Sequence, residues 1–441
     1  MTSLTPSLAP GNEADQRRRL MELFQEAMRS ALPEHCLAAH LPAAPKGRLV
    51  IFAIGKAAAS MSAAAEAHYA SSAPEARIEG IALTRYGHAR PTAHVEVIEA
   101  SHPVPDAAGI AASERLLALA ATLDPDDLAL VLLSGGGSAL ATLPLIGVTL
   151  ADKQALTRAL LVSGAPIAEI NCVRKHLSRI KGGRLAAAIH PARMVTLAIS
   201  DVAGDDASVI ASGPTVPDPT TREMALAILE RYAIDLPERV RLALVQGGES
   251  PKPGDPAFAG SSYELVASGA QALGAAAKLA AASGYEIVNL GDRVEGEARD
   301  IAAEHARLAL DAKAAGRRVA ILSGGETTVT FERGAEGGRG GRNQEYALAL
   351  ALALRAAPGI SAIAGDTDGI DGGSAANDPA GAIITPTTLG RASALGIDAA
   401  SSLKCHNSGG FFAALGDLVV TGPSYTNVND FRAILVEGKP A

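Results

Sequence analysis

The chain has 441 residues, enough for two or three domains and for a sizeable core. Hydrophobic residues make up 48% and charged residues 20%, which excludes a disordered or fibrous chain, and 39 Lys plus Arg against 47 Asp plus Glu give a net charge of −8, which excludes an overall positive field for nucleic acid or an anionic membrane. Glycine is frequent, with 45 residues, about a tenth of the chain against a usual ~7%, while tryptophan is absent and aromatics are 3%, so the core is aliphatic and base stacking is poorly served.

Residues 1–16, rich in Ser, Pro and Thr and lacking the charged start and apolar run of a secretory signal, read as a flexible arm. Overlapping its end, residues 13–32 carry Leu20, Leu23, Phe24, Ala27 and Met28 on one helical stripe. Apolar runs of strand length follow at 49–54, 128–133, 194–199, 319–322 and 362–364, and helical patterns at 57–70, 107–123 and 152–163 separate several of them. The early runs are apolar on both faces, as expected of parallel strands covered by helices, so the fold class is α/β. Residues 246–262, with four glycines and three prolines, read as a linker between domains over 17–245 and 263–441. Residues 332–343, with five glycines, read as a mobile loop. The longest apolar stretch, 346–354, is a core helix, far short of the ~20 residues of a membrane span. Cys36, Cys172 and Cys405 are odd in number and far apart, and are expected to be reduced, buried thiols of a cytoplasmic protein.

Three glycine turns fall where an apolar strand ends: Gly55-Lys56, Ser134-Gly135-Gly136-Gly137-Ser138 and Ser323-Gly324-Gly325-Glu326-Thr327. In an open parallel sheet ligands bind at the carboxyl ends of strands, and glycine lets backbone N–H groups come close to an anion there. Each turn taken alone is equally explained by tight packing of strand against helix. None is a Walker A loop, and none is a G-x-G-x-x-G dinucleotide turn, because Leu140 stands where the third glycine would be. A mononucleotide or the phosphate of a sugar acid therefore fits better than NAD.

Between Asn171 and Leu185, five basic residues and His176 share a segment with the apolar stripe Ile170, Val173, Leu177 and Ile180. Most are expected on a solvated face, with one or two of Arg174, Lys175 and Lys181 as phosphate or carboxylate contacts. Asp201 and Asp205 follow one apolar strand, and Asp366 follows another. Carboxylates there can hold Mg²⁺ or accept a hydroxyl proton, and aspartates also form turns. Near the C-terminus, Asn407 and a segment from Thr421 through Asn427 to Asp430 supply small neutral hydrogen-bonding groups.

The order GKAAASM, SGGGSAL, NCVRKHLSRIKGGRLA, SDVAGDD, ASGPTVPDPTT, SGGETTVT, GRGGRNQEYALALAL, AGDTDGIDG, HNS and TGPSYTNVND resembles the D-glycerate 2-kinase family, with a second half similar to its MOFRL domain. The resemblance runs from about Glu22 to the end. It implies a Rossmann-like N-terminal domain with a mostly parallel sheet, a second α/β domain whose last residues are free to pack back on the first, and an active-site cleft between them. The implied reaction is ATP-dependent phosphorylation of D-glycerate at its 2-hydroxyl, with Mg²⁺. Lys56 and Arg342 match the family's cleft lysine and arginine, and with Asp201 are the expected catalytic residues. Ser134, Gly135, Gly136, Gly137, Ser138, Arg174 and Lys175 are assigned to substrate. Gly55, Gly324, Gly325, Glu326, Thr327, Asn343, Asn407 and Asn427 are assigned to nucleotide, and Asp205 and Asp366 to metal. Ser424-Tyr425 departs from the Thr-Gly usual in the family, which leaves nucleotide preference open. The expected partners are D-glycerate and ATP, without nucleic acid or membrane, and a homodimer is compatible with the sequence. Rival readings are a hydroxypyruvate reductase, which relatives are often called, and a non-catalytic phosphosugar-binding protein.

Overall fold

A computed structural model describes residues 13–331, 338–373 and 377–438. The chain divides into two compact units, one of residues 33–267 and one of residues 1–32 with 268–441.

In the unit 33–267, six parallel strands, β1 (Arg48–Ile54), β2 (Arg77–Arg85), β3 (Val95–Ala100), β4 (Leu128–Leu133), β5 (Arg193–Ile199) and β6 (Ser262–Ala267), lie in the order β3-β2-β1-β4-β5-β6. Strands covered on both faces need apolar residues on both, and every residue of β4 and all but the first of β1 are buried. Val50, Phe52 and Ile54 join Val131, Leu133, Leu140 and Ile180 in one cluster. The chain runs outward from β1 through β2 to β3, then returns to β4 and builds the other half. The loops after β1 and β4 thus leave the sheet in opposite directions, and this is where a doubly wound sheet opens a crevice. Two helices beside it are fixed by their caps. Asp106 accepts the Gly109 N–H at the start of Ala107–Ala120, and Thr149 with Asp152 forms a capping box for Leu150–Val162.

In the other unit, β7 (Glu286–Asn289), β9 (Val319–Ser323), β11 (Ile360–Asp366), β12 (Gly381–Ile384), β13 (Leu418–Val419) and β14 (Asp430–Val436) form a mixed sheet, β13-β12-β11-β14-β9-β7. Only β7 and β9 pair in parallel there; β8 (Glu295–Glu297) and β10 (Glu326–Thr328) form a separate parallel pair. β14 lies between β11 and β9, with Asp430 opposite Asp366. The buried helix Arg342–Leu354 covers the sheet on one side. The helix Glu13–Ser30 packs its apolar stripe on β11, β14 and the helix Gly269–Ala282, with the Phe24 and Phe431 rings 5.9 Å apart and Ser361 Oγ donating to Gln16 Oε1 at 2.6 Å.

Several expectations are corrected. Helix begins at Glu13 and Gln16 is buried, so a flexible arm does not extend to residue 16; residues 1–12 lie outside the described residues. That first helix belongs with the second half of the chain, because its apolar stripe finds its cover there. The segment 246–262 is not a linker between the units. Arg184 holds the Gly248 and Glu249 carbonyls, Arg222 holds those of Val245 and Gly247, and Ser250 is buried, so the segment is a strap within the unit 33–267, whose boundary falls after β6. The last strand, β14, is interior to the second sheet, and residues 439–441 lie outside the described residues. Of the expected mobile loop, residues 332–337 lie outside the described residues. Cys172 alone of the three cysteines is fully buried; Cys36 is half-buried and Cys405 exposed.

Just past β1, Gly55 takes φ +132°, and an added Cβ would lie 2.4 Å from the Ser134 carbonyl oxygen. Gly55→Ala is expected to lower unfolding free energy by about 2–6 kcal/mol, strain and overpacking together. Gly87→Ala, with φ +79° but open space around it, should cost only about 1 kcal/mol of strain. Denaturant unfolding of the two variants checks the difference.

Candidate functional site

At the parting of β1 and β4 the two loops are stitched together. The Lys56 N–H donates to the Gly135 carbonyl at 2.8 Å and the Ala57 N–H to Ser134 Oγ at 3.0 Å. Gly136, at φ +79°, turns the chain into the short helix Gly137–Leu140. Ser138 and Ser212 share a hydroxyl hydrogen bond of 2.7 Å, and Lys181 Nζ donates to the Ser138 carbonyl at 2.7 Å.

Beside this turn lies a cavity of about 410 Å³, whose walls include His102, Gly136, Ser138, Lys153, Arg174 and Lys181, with no Asp or Glu among the lining residues. Burial drives the Lys181 ammonium pKa well below its ordinary value, and Lys153 and Arg174 reinforce the effect. Lys153 is pushed down to about 8 by burial and by the positive charge of Arg174, and burial lowers Arg174 as well. The basic segment is therefore not a solvated face: Lys175 and Lys181 are buried, Arg174 and Arg184 half-buried, and Arg179 exposed.

Arg174 and Lys175 diverge. Lys175 Nζ lies 3.5 Å from Asp218 Oδ1 and is not part of the cavity wall, so Lys175 is engaged by a buried carboxylate and not by the space that Arg174 faces. Asp201 and Asp205 lie in the loop after β5, both half-buried, and Asp205 takes φ +58°. One Asp205 oxygen, Oδ1, is buried without a hydrogen-bond partner among the described residues.

In the other unit the site residues gather around Asp430. Arg342, the first residue of its helix, donates through Nε to both Asp430 oxygens at 2.9 and 3.0 Å, through Nη1 to Glu326 at 2.9 Å, and through Nη2 to Asp366 at 3.0 Å. Burial alone would lower the Arg342 pKa, but Asp430, Asp366 and Glu326 outweigh it and hold the pKa above its ordinary value. Asp430 also accepts from Asn343 Nδ2 at 2.7 Å and Arg432 Nη2 at 2.6 Å. Arg432, 1% exposed, donates onward to the Gly324 carbonyl at 3.0 Å and to Thr327 Oγ1 at 3.2 Å, which fixes the glycine turn. Gly325 needs its glycine, since at φ +93° a Cβ would come within 2.3 Å of the Val294 carbonyl oxygen. Asp371 caps the helix through the Asn343 and Gln344 N–H groups, and burial raises its pKa despite those bonds.

Gly324, Gly325, Glu326, Thr327, Arg342, Asn343 and Asp366 thus form one constellation. Asn407 instead accepts from the Arg339 N–H at 3.2 Å, and Asn427 from the Asn429 N–H at 3.2 Å. Asp366 gives one oxygen to Arg342 and the other to the Asp368 N–H, so as a metal ligand it would first have to part from the arginine. Among the described residues no group of three or more His, Cys, Asp or Glu is arranged to hold a metal. Tyr425 takes φ +62°, a conformation that glycine adopts without strain, which is a physical reason for the glycine usual at that point of the motif. Sequence reasoning missed Lys153 and gave no role to Asp430, Asp371 or Arg432. The signals were a lysine on the apolar stripe of a helix and two charges inside an apolar strand.

Residues 19–245 match a family model described as a domain of unknown function, DUF4147, and residues 319–430 match the MOFRL family. A Thermotoga maritima protein named D-glycerate 2-kinase is 39% identical over 94% of this chain and 97% of its own. The chain belongs to the glycerate kinase family. A human protein named glycerate kinase is 36% identical, covering 96% of this chain and 93% of that one. An Agrobacterium vitis relative, 52% identical over 96% of this chain and 95% of its own, is provisionally named a hydroxypyruvate reductase. The crystal structure of a Thermotoga maritima glycerate kinase superposes with a TM-score of 0.85 at 38% identity, covering 96% of this chain and all of that one. In this family member, Asp430 serves two arginines at once. Arg432→Met is expected to cost about 3–5 kcal/mol of stability, because it strands part of a buried carboxylate. Denaturant unfolding checks the magnitude.

Proposed function

We propose that the chain transfers the terminal phosphoryl group of ATP to the 2-hydroxyl of D-glycerate, giving 2-phosphoglycerate and ADP. The observation that carries this reading is the cavity at the parting of β1 and β4, where a glycine turn meets Lys153, Arg158, Arg174 and Lys181 and no carboxylate, in a chain whose relatives include named glycerate kinases. Phosphoryl transfer asks a protein for positioning and for positive charge around the equatorial oxygens. A glycine turn beside a group of basic side chains is suited to both.

The proton of the 2-hydroxyl passes to a carboxylate, for which Asp201 is our assignment. A bond forms from that oxygen to phosphorus, and the bond from phosphorus to the bridging oxygen of ADP breaks. Lys56, on the loop whose N–H is tied to Gly135, is assigned to the charge on the transferred group, as is Arg342. Gly55 shapes the Lys56 loop on the nucleotide side. The turn Ser134 to Ser138 and Arg174 are assigned to substrate oxyanions, whereas the Asp218 contact of Lys175 argues for a supporting role. Glu326, Thr327 and Asn343, with the turn at Gly324-Gly325, are assigned to the nucleotide, with Asn407 and Asn427 at its margin. Mg²⁺ needs one or two carboxylates beside phosphate oxygens. The buried Asp205 oxygen without a partner fits one of them, whereas Asp366 is taken by Arg342. When bound, the ion would neutralise phosphate charge.

A reductase would need a dinucleotide turn, and β1 leads instead into Gly55-Lys56-Ala57-Ala58. Full-length protein with D-glycerate and MgATP is expected to release ADP and give 2-phosphoglycerate by phosphorus NMR. NADH oxidation with hydroxypyruvate in the absence of ADP formation would favour the reductase. Lys56→Ala and Arg342→Ala should each lower kcat by about 10²–10³, the usual worth of one donor to developing charge. Near-normal turnover in both variants would remove these assignments.

A further inference from the structure

The helix Leu150–Val162 places Lys153 on the same buried face as Leu156 and Leu160. A lysine at such a position normally leads its ammonium out to water. Here the residue is 8% exposed, its Nζ is buried, and it has no hydrogen-bond partner among the described residues. Nor does Arg174, the neighbouring guanidinium, form an ion pair among them. Lys181 spends one bond on the Ser138 carbonyl, and no Asp or Glu lines the space that these three groups share. Buried charges are ordinarily paired or neutralised. Three basic groups from three separate segments are thus brought to one wall whose lining holds no acidic side chain, a surface complementary to an anion.

We propose that Lys153, Arg174 and Lys181 form an oxyanion subsite that binds a carboxylate or phosphate group of a substrate. The inference rests on the kinase reading for the identity of that substrate, which is either the acid or the nucleotide. At about 410 Å³ the cavity falls in the range of small-molecule sites. Lys153 is the residue that sequence, family motifs and hydrogen-bond geometry leave without any other task. Its charge is also adjustable. The groups facing it are Arg158 on its own helix, His102 from the loop after β3, Arg174 and Lys181, all of them basic. With its pKa near 8, Lys153 is mostly charged at pH 7 and mostly neutral at pH 9. An arriving anion would hold its proton in place, so affinity falls as pH rises through 8.

The test is calorimetric titration of the full-length protein with D-glycerate, with sulfate as a tetrahedral anion that does not titrate in this range, and with ADP. Wild type is expected to bind at least one of them about tenfold more weakly at pH 9 than at pH 7, following the charged fraction of Lys153. Lys153→Met should weaken that anion at least about tenfold at pH 7 and remove the pH dependence. Lys153→Arg, permanently charged, should keep the affinity and also lose the pH dependence. Loss of D-glycerate binding in Lys153→Met identifies the acid as occupant, and loss confined to sulfate and ADP identifies the nucleotide phosphates. Either supports the subsite. Removing a buried unpaired cation should leave the melting temperature of Lys153→Met at or above wild type at pH 7, and Arg174→Met serves as a second variant. Dissociation constants within twofold of wild type for all three ligands in both variants would overturn the proposal, as would wild type binding none of them. ADP release from D-glycerate and MgATP, measured separately, fails if the kinase reading is wrong, even where anion binding still depends on Lys153.

Discussion

Gly55 runs so close under the Ser134 carbonyl that no side chain fits between them, and the course of both loops at the parting of β1 and β4 follows from that contact. A wider spacing would leave the Lys56 N–H without the Gly135 carbonyl and the Ala57 N–H without the Ser134 hydroxyl. These bonds are what keep two polar loops in place at the apolar ends of β1 and β4. Once the backbone is fixed, Gly136 turns at positive φ and the Ser138 carbonyl is aimed at Lys181. The cavity wall is then a consequence of sheet topology, since only at this parting do neighbouring loops diverge.

The two units treat buried charge in opposite ways. Around Asp430 every cation is engaged: Arg342 by three carboxylates, Arg432 by Asp430, the Gly324 carbonyl and a threonine hydroxyl. That network is closed except at Arg342, whose side chain is 27% exposed, and its strength lies in holding the Gly324-Gly325 turn and the helix start at Asn343 in register. Among the described residues, Lys153 and Arg174 have no such partners, and the desolvation cost is carried as lowered pKa values. A closed network is suited to rigidity. An open cluster of one sign is suited to a ligand that brings the missing charge.

Much of the scaffold was legible because burial on both faces leaves a plain signature. The runs in β1, β4 and β5 contain almost nothing but Leu, Ile, Val, Ala, Met and Phe, and their limits agree with the sequence to within a residue. β2, β3 and β6 carry Arg, Glu, Thr or Tyr among their apolar residues and were passed over. β14 was likewise passed over, although Ala433 to Val436 is an apolar run, because Asp430 and Arg432 interrupt its start. Placement was less legible than existence. The stripe of the helix Glu13–Ser30 is plain in sequence, but nothing local to it says that its cover lies at β11 and β14, hundreds of residues away along the chain. The glycine turns were found because strand ends can be located, whereas their partners Asp430 and Asp371 come from distant segments that only folding brings near.

The residues that local patterning handled worst are the ones around which the sites are built. Lys153 occupies a helix position where periodicity calls for leucine, and Arg432 a strand position between two apolar neighbours. Each costs desolvation that an aliphatic side chain would avoid, so each is retained against the trend of its own element. Arg432 recovers that cost within the protein, through Asp430 and the Gly324 carbonyl, and its role is to hold a backbone turn. Lys153 makes no hydrogen bond among the described residues that could recover it. The distinction gives a rule for reading sequences of this kind. A charged residue on an apolar stripe marks either a structural pair or a ligand contact, and the presence or absence of an opposite charge in its surroundings separates the two.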